Sequence, residues 1–433
     1  MNRPVRPLPD RRSRPPMGWN SWDCYGTTVT EEEVLANAAF LHAALLPHGW
    51  DTVVVDIQWY EPTARAHGYN ADAPLVLDGH GRQLPAPNRF PSAVDGSGFG
   101  PLAERVHGWG LRFGVHIMRG IPRRAVAARL PVLGTEFTAD EIADTGSVCP
   151  WNSDNYGLNH DHPGAQAYYD SQVAQFAAWG VDFVKADDML FPYHEREIAA
   201  YALAIERSGR PIELSLSPGT DVSVAHLGHL RENATMWRVC DDLWDRWEDV
   251  EAQFARMARW APWQGEGGWA DADMLPLGHI GIRAERGADR MCALTRDEQI
   301  SLLTLWLISR SPLMMGGDLP TSPPETIELL TNDEALEVLW HSTGNREVLR
   351  EGDLVLWTAE DTDGRTRYAA VFSLADEARR VDVPLGSIGA RPSDHVRELW
   401  THRDLAHDGR GITVELPAHG AALYRLGQDQ RQE

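Results

Sequence analysis

The sequence predicts an α/β protein, a (β/α)8 TIM barrel followed by a C-terminal antiparallel β-sandwich domain. Eight short apolar segments alternate with helical patterns over the first three-quarters of the chain, and eight parallel crossover units close a barrel. Nearly every apolar segment ends in a polar residue or a tryptophan. After about residue 335 short segments follow one another between Gly, Pro and Asp-Gly turns, which is typical of antiparallel sheets.

The predicted barrel strands are short and apolar, as expected of strands buried on both faces. In chain order they cover residues 16–22, 52–59, 111–118, 181–187, 211–217, 235–240, 271–277 and 312–315. Helices are predicted at 30–46, 99–109, 163–179, 195–206, 250–260 and 296–310. The first opens on three glutamates and the third on a proline, both favourable in a first helical turn. Segment 119–162 is longer than an ordinary connection and is predicted to form a rim of the site.

The predicted domains are a polar tail over 1–14, the barrel over 15–335, the β domain over 336–427 and a second polar tail over 428–433. The β-domain strands are predicted at 353–357, 368–372, 380–383, 396–399, 411–416 and 421–426. The first tail is rich in Arg and Pro and has no apolar run. We therefore predict neither a signal peptide nor a membrane span, and expect a cytoplasmic location.

The composition narrows the choice of partners. A formal net charge of −23 argues against a nucleic acid or an anionic membrane, because phosphate binding needs clustered Lys and Arg. Four widely spaced cysteines without a C-x-x-C pair predict neither a disulfide framework nor a zinc site. Seventeen tryptophans suit a carbohydrate site, since sugar rings stack on aromatic faces, although most tryptophans of a barrel belong to its core.

Active sites of (β/α)8 barrels lie at the C-terminal ends of the strands, so polar and Trp residues there are candidates. They are Trp22, Asp23, Asp56, Trp59, His116, Arg119, Lys185, Asp187, Asp188, Ser217, Arg238, Asp241, Asp242, Asp271 and Asp273. Glycoside hydrolysis needs two carboxylates from different strands, one at the anomeric carbon and one that moves the proton of the glycosidic oxygen. The abundance of aspartates at these strand ends therefore favours a glycoside hydrolase.

The fourth strand carries the strongest candidate nucleophile. Lys185 precedes Asp187 by two residues, so both side chains lie on one face of the strand. A nearby ammonium lowers the pKa of a carboxylate, which suits a nucleophile that must stay ionised. The alternative role for an Asp at a strand end is a helix N-cap. Spacing alone does not choose between Asp187 and Asp188, nor between Asp241 and Asp242 on the sixth strand.

Five segments carry a family resemblance. They are PPMGWNSWDCYG (15–26), VVVDIQW (53–59), WGVDFVKADD (179–188), WRVCDDLWD (237–245) and GGWADADMLPLG (267–278). In order and approximate spacing they resemble family 27 glycoside hydrolases, the α-galactosidase and α-N-acetylgalactosaminidase family. The resemblance covers residues 15 to about 335, and a β module after the barrel is also a feature of that family.

The resemblance implies a retaining mechanism, with Asp187 as nucleophile and Asp242, four residues after Arg238, as general acid/base. The predicted substrate-binding residues are Trp22, Asp56, Ile57, Trp59, His116, Lys185, Ser217, Arg238 and Asp273. The family implies exo action on a terminal sugar of an oligosaccharide or glycoside, with no cofactor and no metal ion. Whether the chain forms a homo-oligomer stays open.

Three positions depart from the α-galactosidase pattern. Ile57 stands where a second Asp usually meets the O4 and O6 side of galactose. A buried hydroxyl left without a partner costs about 1–3 kcal/mol. Because β-L-arabinopyranose is α-D-galactose without C6, Ile57 favours a β-L-arabinopyranosidase with weaker α-galactosidase activity. Ser217 replaces a Glu, as in the α-N-acetylgalactosaminidase branch, and His116 replaces a Tyr.

Several alternatives remain from the sequence. The chain could be an ordinary α-galactosidase that tolerates Ile57, or an α-N-acetylgalactosaminidase, as Ser217 suggests. A non-catalytic carbohydrate-binding barrel is disfavoured because both carboxylates are present. A metal-dependent hydrolase could use His116, Asp56 and Asp187, but no H-x-H or H-E-x-x-H spacing supports it.

Overall fold

The computed structural model describes residues 13–265 and 267–427, and most of the two predicted polar tails, 1–14 and 428–433, lies outside these ranges. Eight parallel strands form one sheet in the order β7-β6-β5-β4-β3-β2-β1-β8. They are β1 (Met17–Asn20), β2 (Thr52–Val55), β3 (Arg112–Met118), β4 (Phe183–Asp187), β5 (Glu213–Leu216), β6 (Met236–Arg238), β7 (Trp269–Asp271) and β8 (Leu313–Met315). A parallel bridge between Leu275, just after β7, and Met315 joins the two edges. The predicted barrel is confirmed.

At least one helix follows each barrel strand. The α-helices of seven or more residues are α1 (Glu31–Phe40), α2 (Gly100–Gly108), α3 (Pro163–Ala178), α4 (Glu195–Ser208), α5 (Leu227–Asn233), α6 (Trp247–Trp260), α7 (Arg296–Ser309), α8 (Pro324–Leu330) and α9 (Asp333–His341). Capping boxes begin α1, from Thr30 to Glu33, and α7, from Thr295 to Glu298. Within the described ranges no helix has both the length and the apolar character needed to cross a membrane.

Helices α5, α8 and α9 were not predicted. Helix α5 buries only Leu230, so its sequence shows no apolar stripe of helical period. Helix α9 crosses the predicted boundary between residues 335 and 336, and the first strand after it begins at Ser342. The position of the domain boundary therefore stays a prediction.

Most barrel strands are shorter than predicted, and the seventh lies at Trp269–Asp271 rather than at 271–277. His116, Lys185, Asp187 and Arg238 lie in the strands themselves, whereas other candidates lie in the connections that follow: Trp22, Asp56, Ile57, Trp59, Ser217, Asp242 and Asp273. Strand β1 ends at Asn20 and is followed by a single helical turn, Trp22–Tyr25; β2 ends at Val55. The predicted rim, 119–162, contains a small antiparallel sheet of three strands, Ile121–Pro122, Ala143–Val148 and Asn155–Leu158. Binding residues on loops over a rigid strand framework are usual for this architecture.

The C-terminal part is an antiparallel two-sheet domain, which confirms the predicted β-sandwich. Its strands are β9 (Ser342–Glu351), β10 (Leu354–Asp361), β11 (Arg367–Ser373), β12 (Arg379–Pro384), β13 (His395–Glu398), β14 (Arg403–Leu405), β15 (Gly411–Leu416) and β16 (Ala421–Gly427). Six strands pair in the order β9-β10-β11-β16-β13-β14, and β12 pairs with β15. Val371 and Val383 belong to the apolar core between the sheets. On the barrel side, Phe372 packs edge-on against Phe254 of α6, with ring centroids 4.9 Å apart.

Candidate active site

The candidate nucleophile, Asp187, is the last residue of β4 and accepts three hydrogen bonds. His116 Nε2 lies 2.9 Å from Oδ2, while Ser217 Oγ at 3.0 Å and the Asp188 amide at 2.9 Å donate to Oδ1. Burial raises the pKa of Asp187, but the His116 hydrogen bond and the His116 and Lys185 charges hold it well below its usual range. Asp187 is therefore an ionised carboxylate of fixed orientation.

A buried ion pair lies beside this carboxylate. Lys185 Nζ is 2.9 Å from Asp56 Oδ2, and Asn20 Nδ2 donates to the same oxygen at 2.7 Å. Burial raises the pKa of Asp56, but the charges of Lys185 and His116 and the hydrogen bonds from Lys185 and Asn20 together keep the pKa below its ordinary value. Ile57 is buried next to Asp56, and its backbone N–H donates to Asp56 Oδ1 at 2.8 Å. The strand-two end thus combines one charged side chain and one apolar side chain.

The candidate acid/base, Asp242, lies in the loop after β6. Arg238 spans two carboxylates, with Nη2 3.1 Å from Asp242 Oδ1 and Nη1 2.7 Å from Asp273 Oδ1. Burial raises the pKa of Asp273 to about 7 against the opposing charge of Arg238. The Asp242 side chain is 35% exposed while that of Arg238 is only 4% exposed. Asp242 is accordingly oriented by a buried cation yet open to a leaving group and to water, as a proton-transfer group must be.

The other aspartate of each acidic pair, Asp188 or Asp241, has a different partner. Asp188 lies 2.8 Å from Arg119 Nη2, and burial raises its pKa to about 6. Asp241 Oδ1 accepts the backbone N–H of Asp242 at 2.9 Å. The Asp188 carboxylate is thus engaged in a buried ion pair with Arg119, and the Asp241 carboxylate in a turn with its neighbour. The geometry therefore favours Asp187 over Asp188 and Asp242 over Asp241.

The expectation that Trp59 contacts the substrate is corrected. Trp59 has 0% exposure and packs edge-on against four aromatic rings, those of Tyr60, Phe99, Phe176 and Trp179. Its indole Nε1 donates to the His116 carbonyl at 2.7 Å. A side chain enclosed by other rings has no face left for a sugar, because packed interiors leave few voids. Trp59 instead positions the backbone of His116.

His116 and Ser217 were also expected to bind substrate. Both side chains are buried and both direct a polar atom to Asp187. They act on the candidate nucleophile rather than standing free in the pocket. Trp22, by contrast, lies in the helical turn after β1 and keeps 6% exposure.

Some residues near the site were missed from the sequence. The Tyr69 ring stacks on Trp22, with centroids 6.0 Å apart and an interplanar angle of 21°. Burial raises the pKa of Tyr69, as do the charges of Asp187, Glu285, Asp242 and Asp56 in that order, so its phenol lies among the acidic groups of the site. Tyr69 belongs to a long connection without helix or strand, where no sequence period marks a functional position.

Asp23 was noted at a strand end but given no role. Its carboxyl is buried, and Oδ2 has no hydrogen-bond partner among residues 13–265 and 267–427. Burial raises the pKa of Asp23, and the negative charges of Asp273 and Asp242 raise it further. Within the part of the chain that the structure describes, no group of three or more His, Cys, Asp or Glu side chains is arranged to hold a metal ion.

Comparisons with known proteins agree with this arrangement. Residues 154–339 match the family model described as alpha galactosidase A, and residues 351–426 match the alpha galactosidase C-terminal beta sandwich domain. The crystal structure of a GH27 β-L-arabinopyranosidase from Geobacillus stearothermophilus is 48% identical to this chain. It covers 97% of this chain and 98% of its own, with a TM-score of 0.94.

The chain belongs to glycoside hydrolase family 27.

Two further relatives differ in the sugar that their names give. A Bacillus halodurans protein assigned provisionally as an α-N-acetylgalactosaminidase is 45% identical, with 96% of this chain and 98% of that chain covered and a TM-score of 0.86. An α-galactosidase of Cyamopsis tetragonoloba is 25% identical, covering 95% of this chain and 86% of its own sequence. This family 27 protein is thus a glycoside hydrolase whose relatives are named for different sugars.

Proposed function

We propose that this glycoside hydrolase removes terminal β-L-arabinopyranosyl residues with retention of configuration, and acts more weakly on α-D-galactosides. The observation that carries the specificity is the buried Ile57 beside the Asp56–Lys185 ion pair. The 48% identity to the Geobacillus stearothermophilus β-L-arabinopyranosidase, against 25% to the Cyamopsis tetragonoloba α-galactosidase, supports the same choice.

In the first step the Asp187 carboxylate attacks the anomeric carbon. Oδ2 accepts one hydrogen bond, from His116, while Oδ1 accepts two, from Ser217 and the Asp188 amide. Oδ2 therefore keeps a lone pair for the new C–O bond. Asp242 gives its proton to the glycosidic oxygen as the bond to the leaving group breaks, which produces a glycosyl ester on Asp187 and a free alcohol.

In the second step Asp242, now ionised, takes a proton from water while the water oxygen attacks the anomeric carbon. The ester bond to Asp187 breaks, and two inversions give net retention. Arg238 holds Asp242 through both steps at 3.1 Å. The carboxyl groups of Asp187 and Asp242 are expected to lie about 5–5.5 Å apart, as in retaining enzymes.

The preference for arabinose follows from the missing polar group at position 57. Galactose carries a C6 hydroxymethyl group, and its hydroxyl needs a partner when it is buried. An apolar wall leaves it unpaired at a cost of about 1–3 kcal/mol, roughly 5- to 150-fold in relative rate. Arabinopyranose has no hydroxymethyl group, so Ile57 leaves none of its hydroxyls unpaired at this position and supplies an apolar contact.

The test compares kcat/KM for p-nitrophenyl β-L-arabinopyranoside and p-nitrophenyl α-D-galactopyranoside. We expect the arabinoside to be favoured in the wild type, and Ile57→Asp to move the ratio toward the galactoside. Ile57→Val is the matched control, since it shortens the side chain without adding a polar group and should leave the ratio nearly unchanged. A wild-type enzyme that clearly prefers the galactoside would refute the proposed specificity.

The 45% identity to the Bacillus halodurans protein and the small Ser217 favour α-N-acetylgalactosaminidase as the second candidate. Ser217 Oγ donates a hydrogen bond to Asp187 Oδ1 at 3.0 Å. A hydroxyl group both donates and accepts hydrogen bonds. Ser217 Oγ can therefore accept a hydrogen bond from the N–H of a 2-acetamido group while it still donates to Asp187. Adding p-nitrophenyl N-acetyl-α-D-galactosaminide to the same substrate panel decides between the two candidates.

A further inference from the structure

Three aromatic side chains form a continuous path from the helical turn after β1 to the surface; we call Trp22, Tyr69 and Trp151 the aromatic ladder. Trp22 and Tyr69 are stacked with centroids 6.0 Å apart, and Tyr69 and Trp151 lie 5.7 Å apart at an interplanar angle of 45°. Exposure rises along the path, from 6% at Trp22 to 37% at Trp151. The ladder therefore leads outward.

The inner end of the ladder is fixed to the candidate site. Asn20 Oδ1 accepts the backbone N–H of Trp22 at 2.9 Å, and Asn20 Nδ2 donates to Asp56 at 2.7 Å. One side chain thus joins the first rung to the Asp56–Lys185 ion pair. The Tyr69 ring, the next rung, feels the charges of Asp187 and Asp242, between which the glycosidic bond would lie.

The outer end is held by a buried polar network. Asn152, next to Trp151, accepts the Asp154 backbone N–H at 2.8 Å, and the Asp154 carboxylate accepts hydrogen bonds from Gln58 at 2.7 Å and Tyr60 at 2.9 Å. The loop that carries Trp151 is therefore tied to the connection after β2. An exposed tryptophan on an ordered loop loses little conformational freedom when a ligand stacks on it, which favours binding.

We propose that Tyr69 and Trp151 form a subsite for the leaving group of the substrate, which takes a ring with a flat apolar face. The inference rests on the proposed function, since a sugar whose anomeric carbon meets Asp187 must send its leaving group past Asp242 toward the open end of the pocket. Both an aryl aglycone and a second pyranose offer such a face, and both stack on aromatic rings.

The test compares three glycosides of whichever terminal sugar the wild type hydrolyses best: methyl, p-nitrophenyl and a disaccharide. In Trp151→Ala we expect kcat/KM to fall about 2- to 12-fold for substrates with a ring in the leaving group, the range of one aromatic contact, and to stay unchanged for the methyl glycoside. A fall for the p-nitrophenyl glycoside alone assigns the subsite to aryl aglycones, and a fall for the disaccharide extends it to sugars.

Two further variants keep the test decisive. Trp151→Phe retains a flat ring and should recover most of the lost kcat/KM. Trp263→Ala removes another tryptophan, 44% exposed, which precedes β7 at the opposite end of the barrel and should change nothing. Equal loss on all three glycosides, or no loss on any, would overturn the subsite. Absence of wild-type activity on every arabinoside and galactoside would instead refute the proposed function.

Discussion

His116 Nε2 lies 2.9 Å from Asp187 Oδ2, and this contact joins β3 to β4 at the centre of the site. His116 Nδ1 is buried and has no hydrogen-bond partner within residues 13–265 and 267–427. A proton on Nδ1 would have no buried acceptor, whereas a proton on Nε2 points at the carboxylate, so Nε2 is the ring nitrogen that donates to Asp187. His116 therefore donates to the carboxylate and helps to keep it ionised.

The first prediction concerns this hydrogen bond. His116→Phe removes the donor, so the pKa of Asp187 rises and the acid limb of the kcat/KM profile moves to higher pH. A hydrogen bond to a charged group is worth about 1.5–3 kcal/mol, so the acid limb should move by about one to two pH units. His116→Gln keeps an N–H donor and should move the acid limb less. An unchanged acid limb in His116→Phe would contradict the role given to the imidazole.

The second prediction concerns the Asp56–Lys185 pair, 2.9 Å apart and almost fully buried. Lys185→Met leaves an unpaired buried carboxylate, so the free energy of unfolding should fall by about 3–5 kcal/mol. The loss is read from denaturant unfolding, and Lys185→Arg is the control because it keeps the charge. A Met variant as stable as the wild type would contradict the pairing.

The pH dependence of this loss of stability follows from the pKa shifts of Asp56 and Lys185. The pair lowers the pKa of Asp56 and raises that of Lys185. Its contribution is therefore fully present between the unfolded values, about 4 for Asp and about 10 for Lys. It disappears as pH falls through the lowered pKa of Asp56 or rises through the raised pKa of Lys185. In the wild type this contribution should accordingly be constant from about pH 5 to 9. In Lys185→Met the buried Asp56 loses its cation and its pKa rises, so the stability difference should shrink as the pH falls through that raised pKa.

The third prediction tests whether Trp59 positions the backbone of His116 or contacts the substrate. Trp59→Phe removes the hydrogen bond to the His116 carbonyl and part of an aromatic core contact. Unfolding free energy should drop by about 1–3 kcal/mol, while KM changes little because the indole does not face the pocket. A large rise in KM at unchanged stability would restore Trp59 as a sugar-binding residue.

The barrel was predictable because its signals are periodic and local. Each strand is a short apolar run such as residues 52–55, and each long helix shows a capping residue or a helical period. Helix α5 was missed because only Leu230 is buried in it. Strand β9 was missed because its sequence, STGNREVLRE, is largely polar and exposed, so no alternation marks it.

The site was predictable only in part, and the reason is physical. Asp187 and Asp242 follow apolar strands, and barrel topology brings strand ends together whatever the loops do. Tyr69 and Trp151 lie on two long connections whose paths depend on tertiary contacts such as that of Asp154 with Gln58. Trp59 follows a strand just as the candidate aspartates do, and only packing reveals that it turns into the core.

The most direct test of the account is to trap the covalent intermediate. A 5-fluoro-β-L-arabinopyranosyl fluoride should react in the first step and stall before the second, because fluorine slows water attack on the ester. Peptide mapping by mass spectrometry should then find the glycosyl group on Asp187, and proton NMR of an ordinary substrate should show the β anomer as the first product. A label on another residue, or an inverted first product, would contradict the account.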